Sequence, residues 1–164
     1  MFFSGGFAAG GRLMKIKIIA VGKMKGPEQA LVERYSKRLP WPLEIVEIDD
    51  RHRQSRNRQT DRETQSITAK LPRNGTLIAL SERGKPLSSR EFAKTIDRYQ
   101  QDAHKELVFL IGGADGLGQA LLARSDLELS FGLMTWPHMM ARAMLVEQLY
   151  RAASILAGHP YHRD

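Results

Sequence analysis

The chain has 164 residues, 42% of them apolar and 26% charged, with a formal net charge of +7, a pI near 9.9 and no cysteine. That length suits one domain with a substantial core, and the composition is that of an ordinary globular protein rather than a fibrous or low-complexity one. The lack of cysteine excludes a disulfide framework and a thiolate metal site and fits a reducing, cytoplasmic compartment, while no apolar run approaches the ~20 residues needed to span a bilayer.

A basic balance attracts polyanions, RNA first among them, although many soluble proteins are as basic without binding one. Residues 1–13 are apolar and glycine-rich with a single arginine. They lack the basic start and long apolar core of a secretory signal. They are read as an N-terminal extension, expected to be disordered, with the working domain over 14–164. Residues 15–21 become continuously apolar, as in a parallel strand covered on both faces. Gly22 closes that strand, Pro27 stands where a first-turn proline belongs, and a helix is expected over 28–38. Residues 43–48 alternate apolar and acidic after Pro40 and Pro42, which predicts an exposed or edge strand.

Residues 51–58 carry four arginines in eight positions. Either this is a solvated charge run, or it is an arm whose guanidinium forks meet phosphate oxygens. A helix over 59–71 follows. Residues 76–80 read as a buried strand after the Asn74-Gly75 turn, and Ser88 or Ser89 is placed to cap a helix reaching about 103. Residues 106–111 form the most apolar segment and are expected at the sheet centre. They run into Gly112-Gly113-Ala114-Asp115-Gly116-Leu117-Gly118, a short helix, and a fifth strand over 127–133. Alternating strands and helices predict an α/β domain with a mostly parallel sheet and helices on both faces.

Glycines after a buried strand let backbone approach a ligand. The glycines here are misplaced for a dinucleotide fingerprint and follow the fourth strand, and no phosphate-loop motif is present. Three strand ends carry loop residues: Leu80-Ser81, Ile111-Gly112-Gly113 and Gly132 to Pro137. Ligands bind beyond the carboxyl ends of strands in open parallel sheets. Together the three would wall a pocket mainly with backbone; singly, each is as readily a simple turn.

A helix over 139–156 places Ala141, Leu145, Leu149, Ala152 and Leu156 on one stripe, widened by Val146, Tyr150 and Ala153. Glu147, Gln148, Arg151 and Ser154 form the polar side. Arg142 falls within the apolar arc, so it needs an ion-pair partner or a substrate charge. Met140 and Met144 fall on the polar face, where exposed methionines suggest a partner surface such as a second subunit. His138 precedes the helix, as a structural or a site residue. The chain ends in His159-Pro160-Tyr161-His162-Arg163-Asp164, too rich in functional groups for an idle tail. No metal-binding motif accompanies these histidines, and no metal is expected. No G-x-S-x-G elbow is present either.

Taken together, Leu110-Ile111-Gly112-Gly113-x-x-Gly116-Leu117, Thr135-x-Pro137-His138, Arg142, Glu147-Gln148-Leu149-Tyr150-Arg151-Ala152 and His159-Pro160-Tyr161-His162-Arg163 resemble the ribosomal large subunit pseudouridine N3-methyltransferase family, small enzymes of the SPOUT class. Ile18-x-Ala20-Val21-Gly22 and Leu80-x-x-x-Gly84-Lys85 extend the likeness, which covers about 14–164. The resemblance implies a C-terminal trefoil knot, a rare exception to the usual connection rules. It implies S-adenosyl-L-methionine as cofactor, held by position at Leu80, Ser81, Gly112, Gly113, Gly132, Leu133, Met134, Thr135, Trp136 and Pro137. It also implies a homodimer, and as substrate N3 of a pseudouridine in 23S rRNA (position 1915 of the standard scheme, in the helix 69 stem-loop) within assembled ribosomes. The extension 1–13 has no counterpart in the family pattern.

The N3 proton of a pseudouridine must leave before nitrogen can attack, so a base or an anion-stabilising cation is needed. Arg142 is the candidate for the cation. His138, Tyr161, His162 and Arg163 are candidates for substrate placement or proton removal. Two other readings compete: a SPOUT enzyme acting on tRNA, and a ribosome-binding factor without catalysis.

Overall fold

A computed structural model describes residues 13–49 and 55–163. The expected extension lies outside these residues except for Leu13, as do residues 51–54 of the arginine-rich stretch and Asp164. Five strands, β1 (Lys15–Val21), β2 (Leu43–Ile48), β3 (Thr76–Pro86), β4 (Glu106–Ile111) and β5 (Leu127–Ser130), alternate with α1 (Glu28–Ser36), α2 (Arg56–Thr68), α3 (Ser89–Gln101) and α4 (Gln119–Arg124), and α5 (His138–Leu156) ends the series. Every strand pair is parallel, in the order β2-β1-β4-β3-β5.

Each step in sequence reverses direction across this sheet. With one crossover hand, successive helices must then land on alternate faces. They do: Val32 of α1, Phe92 and Ile96 of α3 and Leu145 and Leu149 of α5 pack on one side with Ile16, Ile18, Phe109 and Ile78. Ile67 of α2 and Leu121 of α4 pack on the other with Ile19, Val21, Val108 and Leu110. Consecutive strand residues thus serve opposite cores, the reason β1 from Ile18 onward and β4 after Glu106 are continuously apolar. The expected central position of β4 and edge position of β2 are both found.

Several boundaries differ from those read in the sequence. β3 reaches Pro86 because it leaves the ladder and rejoins it: Leu129 of β5 stands opposite both Leu80 and Lys85. The polar string between them reads as a loop from side chains, yet its far end pairs through backbone. β5 closes at Ser130, and α2 starts at Arg56 and ends at Thr68. Ser88 is the cap of α3. Its hydroxyl accepts from the Glu91 N–H at 3.2 Å, and the Glu91 carboxylate accepts from the Ser88 N–H at 2.8 Å, a reciprocal capping box. Ser154, assigned to the polar side of α5, is instead fully buried and donates to the Tyr150 carbonyl at 2.9 Å. A hydroxyl satisfied within its own helix can enter a core at little cost.

The core on the α1–α3–α5 side centres on Phe109, fully buried on the middle strand and edge-on to Phe92 at 6.3 Å. Phe109→Ala is expected to destabilise the fold by about 3–5 kcal/mol, measured as a lower urea midpoint with unchanged slope.

Candidate functional site

Because β4, β3 and β5 are adjacent and parallel, their carboxyl ends share one end of the sheet. Leu80-Ser81, Gly112-Gly113 and the segment from Phe131 to Pro137 therefore leave the sheet side by side. Leu80 is half-buried against the α5-side core, and the Ser81 hydroxyl accepts from the Arg83 N–H at 3.3 Å. The glycine loop closes on itself, with the Gly116 N–H donating to the Gly113 carbonyl at 3.0 Å. A Cβ at Gly112 would lie 2.4 Å from the Gly116 carbonyl carbon, so only glycine fits there. Gly113 lies against Glu63 of α2. Packing alone thus accounts for Gly112, one of the glycines that the sequence offers for a ligand.

Beyond β5 the chain is held at its start and open afterwards. The Ser130 hydroxyl, buried, accepts from the Gly132 N–H at 3.1 Å. Leu133 is 96% exposed and Met134 74%, and Thr135, Trp136 and Pro137 are also exposed. His138, half-buried, is the first residue of α5.

On the α1–α3–α5 side of these strand ends lies a cavity of about 660 Å³, open on one side. Its floor is Leu129, Ser130, Phe131 and Gly132. Leu31 and Tyr35 of α1 form one wall, Met140, Met144, Glu147 and Gln148 of α5 another, and Pro86, Leu87, Ser89 and Phe92 the third. Of the ten residues expected to hold the cofactor, Gly132 alone lines this space; Leu80, Ser81, Gly112 and Gly113 lie at the neighbouring strand ends. The two exposed-face methionines of α5 do mark it. Ser89, Tyr35, Glu147 and Leu31 were not singled out for a site. Their only signal is polarity or apolarity on helix faces, and nothing local says that three helices meet there.

Arg142 is 1% exposed. One guanidinium nitrogen donates to Glu47 of β2 at 2.8 Å, and the other to the carbonyls of Val21 at 3.2 Å and Gly22 at 2.8 Å. Glu47 also accepts from the Met24 N–H at 2.9 Å. Burial pulls the guanidinium below its ordinary range, and the hydrogen bond and charge of Glu47 oppose that pull. The need for a partner, legible in the sequence, is met by Glu47 ninety-five residues away.

The tail returns to the cavity wall. α5 ends at Leu156, the chain turns at Gly158, whose φ of +67° is left-handed, and the His159 N–H donates back to the Ser154 carbonyl at 2.9 Å. This turn needs a residue without Cβ strain and reverses the chain. The Tyr161 hydroxyl donates to Glu147 at 2.9 Å and accepts from the Tyr35 hydroxyl at 3.2 Å. Its ring lies edge-on to Tyr150 at 4.7 Å, with the Arg151 guanidinium 4.8 Å from its centre. Arg151 pairs with Glu147 and donates to Nδ1 of His162 at 3.2 Å. A guanidinium only donates, so in this contact Nδ1 accepts and the imidazole proton of a neutral His162 sits on Nε2. Arg163 is exposed. Among the described residues no group of three His, Asp or Glu side chains is placed to hold a metal, and no helix is long and apolar enough to cross a membrane.

The Tyr161 phenol is pushed above its ordinary range, first by burial and then by its bonds to Tyr35 and Glu147. A phenol whose folded pKa exceeds its unfolded one stabilises the docked tail below the ordinary tyrosine range of ~10 and loses that contribution as pH rises through the folded value. Ultraviolet titration should show one tyrosine ionising later than the free phenol, and Glu147→Gln should bring it down. Arg142→Ala is expected to cost about 3 kcal/mol, because it strands two buried carbonyls and an acceptor, read as a lower thermal midpoint.

A family model described as a predicted SPOUT methyltransferase matches residues 14–162. The chain is 46% identical over 151 residues to a Paramagnetospirillum magneticum protein named ribosomal RNA large subunit methyltransferase H, covering 92% of this chain and 99% of that one. A Zymomonas mobilis protein of the same name is 46% identical over 152 residues, with the same coverage. Among solved structures, a probable methyltransferase from Bordetella pertussis superposes with a TM-score of 0.57 at 15% identity, over 85% of this chain and 96% of that one, a likeness of fold. The model match spans strands, glycine loop, cavity and returning tail alike, and the chain belongs to the SPOUT methyltransferase family.

Proposed function

We propose that this chain methylates N3 of a pseudouridine in a stem-loop of 23S rRNA, within assembled ribosomes, using S-adenosyl-L-methionine. Its methyltransferase family and its relatives named for ribosomal RNA support the reaction class and the RNA substrate. The observation that carries the reading is the bonding of Tyr161 to two cavity-wall residues, Tyr35 and Glu147. It brings the last residues of the chain to the edge of the same space that Gly132 borders.

The donor set suits an amphiphilic cation. The cavity is mainly apolar, is bordered by the Glu28 carboxylate and by Glu147, whose charge is met by Arg151, and falls within the ~300–1,000 Å³ typical of small-molecule sites. Gly132 would hold the cofactor from the cavity floor, with Leu80, Ser81, Gly112, Gly113 and Leu133 to Pro137 reaching it only from outside the lining; when bound it supplies a methyl group already activated by sulfonium. The protein's task is then alignment and proton removal. Tyr161, kept protonated, donates a hydrogen bond. His162 in its present tautomer offers Nε2–H, and exposed Arg163 offers charge to a phosphate. Proton removal from N3 is assigned to His138, at the start of α5. Arg142 serves by holding the loop after β1 to α5, since its guanidinium is committed to Glu47, Val21 and Gly22.

A homodimer belongs to the same proposal. Leu31 and Met140 are 45% and 43% exposed at the cavity, and Leu133, Met134 and Trp136 are exposed just beyond it. A second copy would cover this apolar rim. The trefoil knot implied by the resemblance is proposed with it.

With ribosomes as substrate, deletion of residues 159–164 is expected to lower kcat roughly hundredfold and His138→Ala by a similar factor, while calorimetry still detects S-adenosyl-L-methionine binding. Parental rates in both variants would refute the site. Methylation of free tRNA in preference to ribosomes, or no cofactor binding by the parent, would refute the function.

A further inference from the structure

We propose that the carboxyl end of α1 is a docking surface for the phosphate backbone of RNA, gripped by Arg34 and Arg38; this rests on the rRNA methyltransferase reading. Some cations are already neutralised. Lys15 and Lys17 face Glu44 and Glu106, Arg56 pairs with Asp115, Arg142 with Glu47 and Arg151 with Glu147. Arg34, Lys37 and Arg38 are exposed and have no ion pair among the described residues. Arg34 lies in the last turn of α1 and Arg38 two residues past its end.

Both guanidiniums are also pre-placed. Arg34 lies 5.9 Å from the centre of the Tyr35 ring and Arg38 5.9 Å from that of Tyr150, and these two rings are 5.6 Å apart. An arginine backed by an aromatic ring loses less side-chain freedom on binding and keeps its N–H edge for phosphate oxygens. Tyr150 also contacts Tyr161, so the pair of cations borders the returning tail. A strand of RNA held there by its phosphates lies beside the residues proposed to handle its base. Phosphate contacts of this kind set position and carry no sequence information, which suits a small domain whose specificity comes from the site itself.

Basic residues near a helix carboxyl end also favour its dipole, so the test must separate docking from stability. Parent, R34A/R38A, R34K/R38K and the distant control R124A are compared by sedimentation with vacant ribosomes lacking the methyl group, across roughly 50 to 200 mM KCl, and by methyl transfer and thermal unfolding. Docking predicts that R34A/R38A binds roughly tenfold or more weakly and that its salt slope falls by about 2. Its rate at saturating ribosomes and its cofactor affinity stay parental, R34K/R38K keeps the slope, and R124A matches the parent. Parental affinity and slope in R34A/R38A, or a change in unfolding temperature alone, overturns the proposal. If the parent binds with this salt dependence but transfers no methyl, the functional reading fails and the docking surface stands. If the parent does not bind ribosomes, both fall.

Discussion

The site end of the molecule depends on one buried guanidinium. Arg142 leaves the first turns of α5, crosses to the carboxyl end of β1 and bonds two consecutive carbonyls there, while Glu47 of β2 holds its other edge and the next backbone N–H of the loop. A charge at 1% exposure is tolerable only with such pairing. Its consequence is geometric. The start of α5 cannot slide along the sheet without stranding carbonyls, so His138 and the segment before it are placed relative to β1 and β2 as well as to β5.

At the other end of α5 the same helix is tied to the tail. Gly158 turns the chain back, and Glu147, within α5, gathers Arg151 and Tyr161 onto one carboxylate. The Tyr35 hydroxyl adds α1 to the group. Three elements thus meet through hydrogen bonds, charge-assisted at Glu147, together with the packed rings of Tyr35, Tyr150 and Tyr161. Such an arrangement holds a short segment in register while keeping its polar ends usable. A tail docked by apolar burial alone would hide the groups that the proposed chemistry needs.

The sheet was largely legible because burial on both faces writes itself into consecutive residues: Ile18 to Val21 of β1 and Leu107 to Ile111 of β4 have no polar position. The capping box at Ser88 and Glu91 was legible because its partners are three residues apart. The cavity was not, since its walls come from α1, the end of β3, α3 and α5, and each contributes one face that is unremarkable alone. Arg142 shows the boundary clearly. Its place on the apolar arc demanded a partner, but Glu47 is exposed by residue type and pattern, on an alternating edge strand. Ser154 fails for the opposite reason: helical geometry satisfies its hydroxyl locally, so polarity no longer signals exposure. The glycine loop remains the most ambiguous signal, because close backbone packing and close ligand approach ask for the same residue.

The exposed apolar residues resist explanation within a single copy. Leu133 and Met134 stand almost bare directly after Gly132, whose neighbour Ser130 is buried and fixes the exit from β5 by hydrogen bond. The segment is therefore presented from an anchored start, and the anchoring residue also floors the cavity. Met140 and Leu31 continue the apolar surface across the cavity's open side. In a monomer this patch would expose hydrophobic area beside the cavity proposed to hold the charged methyl donor. A partner copy seated on it resolves both difficulties with the same contact, and for that reason the proposed dimer is an element of the site rather than an accessory to it.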